Sequence, residues 1–328
     1  MRIRRPMAGD QEERFLARVA WAYHVEGLTQ VEVADKLGVT RLRVNKALAA
    51  ARRSGLIRIS FDTAFAPCVD LEQRLCRRYE LLRACVAPRP VSAEEVQASV
   101  GAALGHVLSE ILAGPQIRLF GMSWGNTLNL ATRFVAPLER PDLEVVSVMG
   151  GLTKGSDLHS FEITSRLANL CHARHSYFPA PLYAGSKESR DIIMGLDVFE
   201  TVLRKIKGAD AVAMAAGDLS RRSLLMRDAL PSDVAMDDLL DAGAVGDVLG
   251  TVIDADGRPI DHPINERVIG IGLEDLRAIP NVILAAGGPH KVGVMRAVLA
   301  RGVIDTLVTD EDTADALLGV NRAESDPA

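Results

Sequence analysis

Apolar positions over the first sixth of the chain recur at helical spacing three times in succession. Phe15, Leu16, Val19, Ala20 and Tyr23 share one face of a helix over residues 11–26, and Gly27 predicts its end. Thr29 with Glu32 three residues later is a capping-box pattern that opens a second helix. Its inner face is expected on Val31, Ala34 and Leu37, with Ala34 small where two helices cross closely. Gly38 sits four residues on, where a tight turn needs positive φ. Thr40 is a good N-cap for a third helix, and Val44 and Leu48 could bury against the second. Gly55 stops that helix, and residues 56–60 (LIRIS) alternate like a short strand, a candidate wing. A helix, a tight turn and a second helix of this kind can lay the second helix in a DNA major groove.

The pattern then changes. Residues 62–69 read as a linker, and 70–79 as an amphipathic helix with Leu71 and Leu75 on one face. That helix could join the large domain or pair subunits. Residues 87–92 form a Pro-rich loop, and 93–113 a long helix ended by Gly114-Pro115. From residue 116 apolar strands alternate with helices, which predicts an α/β fold with a mainly parallel sheet. Strands are expected at 117–120, 145–149, 211–215, 282–286 and 303–308. Several run into small residues: Gly121 to Thr127, Gly150-Gly151, Gly217-Asp218, and Gly287-Gly288 followed by His290-Lys291. In such a sheet the strand C-termini share one edge, and ligands bind there. The expected organisation is a helix-turn-helix domain over 1–61, a linker and connecting helix over 62–92, and a ligand-binding domain over 93–328.

Charge sharpens this division. Residues 1–60 hold 12 Lys or Arg and 6 Asp or Glu, net +6, whereas the remaining 268 hold 26 and 37, net −11. A basic front end on an acidic body suits a polyanion at one end and something else at the other. The third helix begins with Arg41, Arg43, Asn45 and Lys46, whose donors and amide edge suit guanine, adenine and phosphate oxygens. Arg52 and Arg53 suit phosphates, the Thr40 hydroxyl could reach one, and Thr29 at the start of the second helix joins the candidate contacts. The bland alternative is a three-helix bundle with a solvated basic face. No signal-peptide stretch and no apolar run of membrane-spanning length is expected. Cys68, Cys76, Cys85 and Cys171 show no metal-ligand spacing and suit a reducing cytoplasm.

At the sheet edge, Ser123 and Thr127 could donate hydroxyls, and Lys291 suits a phosphate or carboxylate. Asp247, Asp256, Asp261 and His262 fall in one stretch, with Asn265 downstream. A carboxylate there could act as a base on a sugar or simply accept hydrogen bonds from its hydroxyls. Asp256-Gly257 suits a hairpin turn. No Walker A or G-x-G-x-x-G pattern and no nucleophile–base–orienter set is readable. No cofactor, metal or catalytic residue is therefore expected.

Residues 14–318 as a whole resemble the SorC family of bacterial sugar-responsive transcriptional regulators. The segments that carry the resemblance are RVAWAYHVEGLTQVEVADKLGVTRLRVNKALAAARRSGLIRI, FGMSWGNTL, VMGG, GAVGDVLG, PINERVIGIGLEDL and AAGGPHKVGVMRAVLARGVIDTLVTDEDTADALL. The resemblance implies a winged helix-turn-helix joined to an effector domain similar in fold to ribose-phosphate isomerases and glucosamine-phosphate deaminases. It also implies a homotetramer on paired operator sites in double-stranded DNA. Carried over by residue, its effector loop falls on Gly121, Ser123, Trp124, Gly125 and Thr127, with Gly150 and Gly151 in the VMGG segment. Its acidic contact falls on Asp247 and its phosphate-site lysine on Lys291. Many members have serines where this chain has Thr40-Arg41-Leu42-Arg43-Val44-Asn45, which leaves the operator sequence unpredicted. The subgroup it most resembles regulates erythritol and related polyol catabolism. The expected function is a repressor of a carbohydrate or polyol operon, modulated by a small sugar, sugar phosphate or polyol. The alternative is a sugar-phosphate isomerase or deaminase with an appended DNA-binding domain.

Overall fold

Three helices build the N-terminal part: α1 (Ala8–His24), α2 (Gln30–Leu37) and α3 (Arg41–Arg53). They belong to a computed structural model that describes residues 8–54, 56, 66–90, 92, 95–152, 160–220 and 223–319. The chain divides into two units, Met1–Thr63 and Ala64–Ala328. Local chemistry sets the first. The Thr29 hydroxyl accepts from the Glu32 N–H at 3.3 Å while the Glu32 carboxylate accepts from the Thr29 N–H at 2.7 Å, closing the capping box. Gly38 ends α2 at φ 65°, a left-handed conformation that costs glycine little. The Thr40 hydroxyl takes the Arg43 N–H at 3.3 Å at the head of α3. Leu16, Val19 and Ala22 of α1, Val33 and Ala34 of α2, and Val44, Ala47, Leu48 and Ala51 of α3 form the core. One expectation is corrected here: Val31 is exposed and Val33 is fully buried, because the face of α2 toward α1 and α3 starts two residues later. Of the candidate wing, residues 56–60, all but Leu56 lie outside the described residues.

The second unit runs α4 (Ala66–Tyr79), β1 (Arg83–Ala87), α5 (Val96–Ala113), β2 (Leu119–Met122), α6 (Asn126–Ala131), β3 (Glu144–Ser147), α7 (Ser160–Leu170), β4 (Arg174–Ser176), α8 (Lys187–Met194), α9 (Asp197–Lys207), β5 (Ala211–Met214), β6 (Ala216–Gly217), α10 (Met236–Asp241), β7 (Ala244–Val248), β8 (Thr251–Asp254), β9 (Val282–Ala285), α11 (Val292–Ala300), β10 (Thr306–Asp310) and α12 (Glu311–Leu317). Seven strands form one sheet in the order β1-β10-β9-β5-β2-β3-β4, with every pairing parallel. From β2 the chain builds outward through β3 to β4, then returns to the other flank of β2 with β5 and continues to β9 and β10. The order therefore reverses between β2 and β5, and a crevice opens at the strand C-termini at such a reversal. The β6-β7-β8 antiparallel sheet follows β5 directly. Strands β3, β5 and β9 are buried along their whole length, which is why β5 and β9 read as short apolar runs and β3 carries Val145-Val146 at its centre.

Residues 62–92, expected as a linker with a connecting helix, are largely part of this unit. Leu71 and Leu75 of α4 are fully buried. The Tyr79 hydroxyl donates to the Leu317 carbonyl at 3.0 Å, and the Glu72 carboxylate accepts from Val86 N–H at 2.9 Å. β1 is an unforeseen edge strand held by β10. α5 also departs from expectation, being long and apolar enough by length and composition to cross a membrane. Eight of its 18 residues, among them Val100, Leu104 and Leu108, are instead buried in the unit. The four cysteines are free.

Candidate functional site

A cavity of about 610 Å³ occupies the crevice between β2 and β5. That is within the ordinary size range for a small-molecule site. The turn after β2 brings Ser123, Trp124, Gly125 and Thr127, and the turn after β5 brings Ala215 and Asp218. The turn after β9 brings His290 and Lys291, β7 contributes Asp247, and the first turn of α5 contributes Gln97. Apolar walls come from Val96, Trp124, Met149, Leu225 and Leu249. The Trp124 ring is fixed by its indole N–H, which donates to the Gly150 carbonyl at 3.0 Å. Arg227, on the π-helical turn Leu225–Ala229, also lines the cavity and pairs with Asp228 at 2.7 Å.

Three charged groups meet without direct pairing. Asp247 is buried, and its carboxylate lies over Gly217, the residue opposite it in the β6–β7 register. It accepts from the Gly250 N–H at 3.3 Å. Burial pushes its pKa up from 3.8 to about 6, opposed by the Gly250 N–H and the positive Lys291, and reinforced by the negative Asp218. Lys291 is 8% exposed, and burial lowers its pKa while Asp218 and Asp247 hold it up. Among the described residues its ammonium makes no hydrogen bond or ion pair. A buried cation facing a cavity without a direct partner favours an anionic group there. The nearby hydroxyls, amides and carboxylates suit a ligand with several hydroxyl groups.

The Asp247 shift has a stability consequence. The folded state holds this proton more tightly than the unfolded chain does. The group's contribution is fully present below about pH 4 and is lost as pH rises through about 6. Asp247→Asn keeps an oxygen for the Gly250 N–H and removes the buried charge. Its stability relative to the unchanged protein should therefore rise between pH 4 and 7, by up to about 3 kcal/mol. Urea unfolding at pH 4.5 and pH 7 measures this, and equal differences at the two values would refute it.

The second candidate surface is α3. It contains no acidic residue over Arg41–Arg53. Leu42, Lys46, Ala49 and Arg53 are all exposed and follow at spacings of four, three and four, so they form one stripe opposite Val44, Leu48 and Ala51. Arg43 and Asn45 sit on the flanks of the helix. The Arg43 guanidinium lies 4.7 Å from the centre of the Phe15 ring on α1, and Asn45 accepts from the Gln30 amide of α2 at 3.4 Å. The Arg52 side chain lies outside the described residues.

Residues 63–319 match the Sugar-bind family model, described as a "Putative sugar-binding domain". The chain is 32% identical over 310 residues to the transcriptional regulator LsrR of Escherichia coli (strain SMS-3-5 / SECEC), covering 94% of this chain and 95% of that one. It is 27% identical to the erythritol catabolism regulatory protein EryD of Brucella abortus (strain 2308), covering 94% and 98%. The full-length sorbitol operon regulator SorC of Klebsiella pneumoniae superposes with a TM-score of 0.69 at 24% identity, covering 94% of this chain and 99% of that one. The chain belongs to the SorC family of sugar-binding transcriptional regulators.

In this SorC-family chain, Ser123, Trp124, Gly125, Thr127, Asp247 and Lys291 all line the cavity. Gly121, Gly150 and Gly151 do not line it. Gly121 lies inside β2, where a Cβ would come within 2.6 Å of Val148 and Val212. Gly150 packs on the Pro181 backbone, where a Cβ would meet the carbonyl oxygen at 2.3 Å, and Gly151 bridges to Pro181. Gly121 and Gly150 serve close packing, and Gly151 a backbone bridge. Asp256, Asp261, His262 and Asn265 also lie away from the cavity lining. Asn265 instead braces the loop after β8, donating to the Val252 and Ile260 carbonyls. Sequence reasoning singled out no role for Gln97, Asn129, Ser223 or Arg227, which line the cavity from segments without a glycine turn, nor for Asn126, which follows Gly125. Asp218 and His290 do stand beside such turns, and that position is the signal that could have marked them as contacts.

Proposed function

We propose that this protein is a cytoplasmic repressor of a carbohydrate or polyol catabolic operon, acting as a homotetramer on double-stranded operator DNA. The observation that carries the reading is a polar cavity with a buried cation at the sheet's reversal point, in a chain whose other unit presents an acid-free basic helix. The first unit is the helix-turn-helix domain. Arg41, Arg43, Asn45 and Lys46 of α3 approach bases, and Thr29, Thr40 and Arg53 approach phosphates. The second unit is the effector domain, similar in fold to sugar-phosphate isomerases. Ser123, Trp124, Gly125, Thr127, Asp247 and Lys291 hold a sugar, sugar phosphate or polyol in its cavity. The effector favours the arrangement of the oligomer that binds it better, and it shifts operator affinity only by that difference.

Duplexes enriched from a random pool by the full chain test the DNA assignment. Arg53→Ala should weaken binding similarly across enriched sequences and lower the salt slope by about 0.9 for each phosphate no longer neutralised. Arg43→Ala should weaken binding too. Unchanged affinity and slope in both variants would sink the α3 assignment. An isomerase reading draws support from Asp247, whose pKa of about 6 suits a general base. Turnover of a sugar-phosphate panel that disappears in Asp247→Asn would favour it.

A further inference from the structure

The first turn of α3 presents an exposed apolar side chain between two exposed arginines, Arg41 and Arg43. Leu42 is 65% exposed, at the head of the stripe it shares with Lys46, Ala49 and Arg53. A lone exposed leucine is ordinary on a protein surface. This one has Arg41, Arg43 and Lys46 within one turn on a helix without an acidic residue, so its immediate surroundings suit a polyanion. Two neighbours suited to base edges flank this stripe, Arg43 over the Phe15 ring and Asn45 bonded to Gln30. In the N-terminal half of the helix, Leu42 and Lys46 are the side chains directly opposite the buried face. In a major groove the one apolar feature on a base-pair edge is the 5-methyl group of thymine, which takes apolar contacts.

We infer that Leu42 is a specificity residue that packs against a thymine 5-methyl group in each operator half-site. The inference rests on the reading of α3 as the DNA-contacting helix. Lys46, one turn further on and about 6 Å along the axis, then addresses a guanine or phosphate on the order of two base-pair steps away. The half-site carries a T:A pair that the protein recognises by shape and apolar contact, not by a hydrogen bond.

The test uses the full chain and duplexes enriched from a random pool. Each thymine in an enriched half-site is replaced in turn by deoxyuridine, which removes only the methyl group. One position per half-site should lose about fourfold in affinity, the factor that goes with one buried methyl-sized group. In Leu42→Ala that position should become insensitive to the replacement, while all other positions keep their wild-type response. Putting 5-methylcytosine there in a C:G pair should bind better than plain cytosine for the unchanged chain only. Leu42 is exposed and alanine is the better helix former, so the variant should keep its melting temperature. Uniform insensitivity of the unchanged chain to uracil would overturn the inference, as would a sensitive thymine that stays equally sensitive in Leu42→Ala. A variant that alters oligomeric state but not the thymine response would also overturn it, by making Leu42 a subunit contact. If no duplex is enriched at all, the failure belongs to the reading of α3 itself.

Discussion

Lys291→Met should cost the protein its affinity for anionic effectors while sparing its affinity for neutral ones. The ammonium is buried in the cavity wall with no hydrogen-bond partner among the described residues, so its solvation falls to whatever occupies the cavity. A hydrogen bond to a charged group contributes about 1.5–3 kcal/mol, which corresponds to roughly 10- to 150-fold in affinity. Methionine keeps the length and apolar stem of the side chain, so the cavity should hold its shape. Asp218 and Asp247 would lose the positive charge that steadies them, and the Asp247 carboxyl should titrate higher still. Thermal shift against a panel of sugar phosphates and polyols identifies binders first, since a ligand of the folded state raises apparent stability. Calorimetric titration of the variant with the best anionic binder then gives the ratio. An unchanged ratio would mean that the anionic group lies elsewhere. Operator affinity without effector should stay within twofold, because Lys291 and α3 belong to different units of the chain.

The parts legible in the sequence were those fixed by neighbours along the chain. The Thr29–Glu32 capping box and the left-handed Gly38 involve residues within one turn of each other, so residue type and spacing suffice. Strands β5 and β9 were visible because both faces are covered and the whole run is apolar, and β3 through its buried Val145-Val146 pair. β1 was not, since it is an edge strand of five residues whose partner β10 lies more than 200 residues away. β4 has the polar sequence Arg174-His175-Ser176 at the opposite edge, so burial imposes no apolar pattern on it. β2 begins two residues later than its apolar pattern suggested, which places Gly121 inside the strand when its glycine suggested a loop. That two-residue shift is the reason one expected effector contact turned out to be a packing residue. The cavity itself was readable where a strand ends in a glycine turn. Gln97 and Arg227 come from helical segments whose sequence gives no sign of facing a strand edge.

Gly217→Ala should separate effector recognition from DNA recognition by a different route. Gly217 pairs with Asp247 across the β6–β7 ladder, and a Cβ built there would stand 2.0 Å from the Asp247 carboxylate oxygen and 3.5 Å from the Ser223 hydroxyl. Its backbone lies outside the left-handed region, so alanine meets no conformational objection, only a steric one. The carboxylate must swing aside, and it does so from a buried position where its hydrogen-bond donor among the described residues is the Gly250 N–H. Hydroxyl groups of a ligand aligned to the original oxygen positions would be left unmatched. Each buried unmatched polar group costs about 1–3 kcal/mol, so effector affinity should fall by tenfold or more. Hydroxyls are common to polyols and sugar phosphates, so both classes should weaken together, unlike the selective loss expected for Lys291→Met. Operator affinity measured without effector should not change, and addition of the effector at its former working concentration should no longer alter it. Titrating both variants with one neutral and one anionic ligand decides the matter. If Gly217→Ala binds a polyol as the unchanged protein does, Asp247 accepts no ligand hydroxyl, and the buried carboxylate must serve to set the charge state of Lys291.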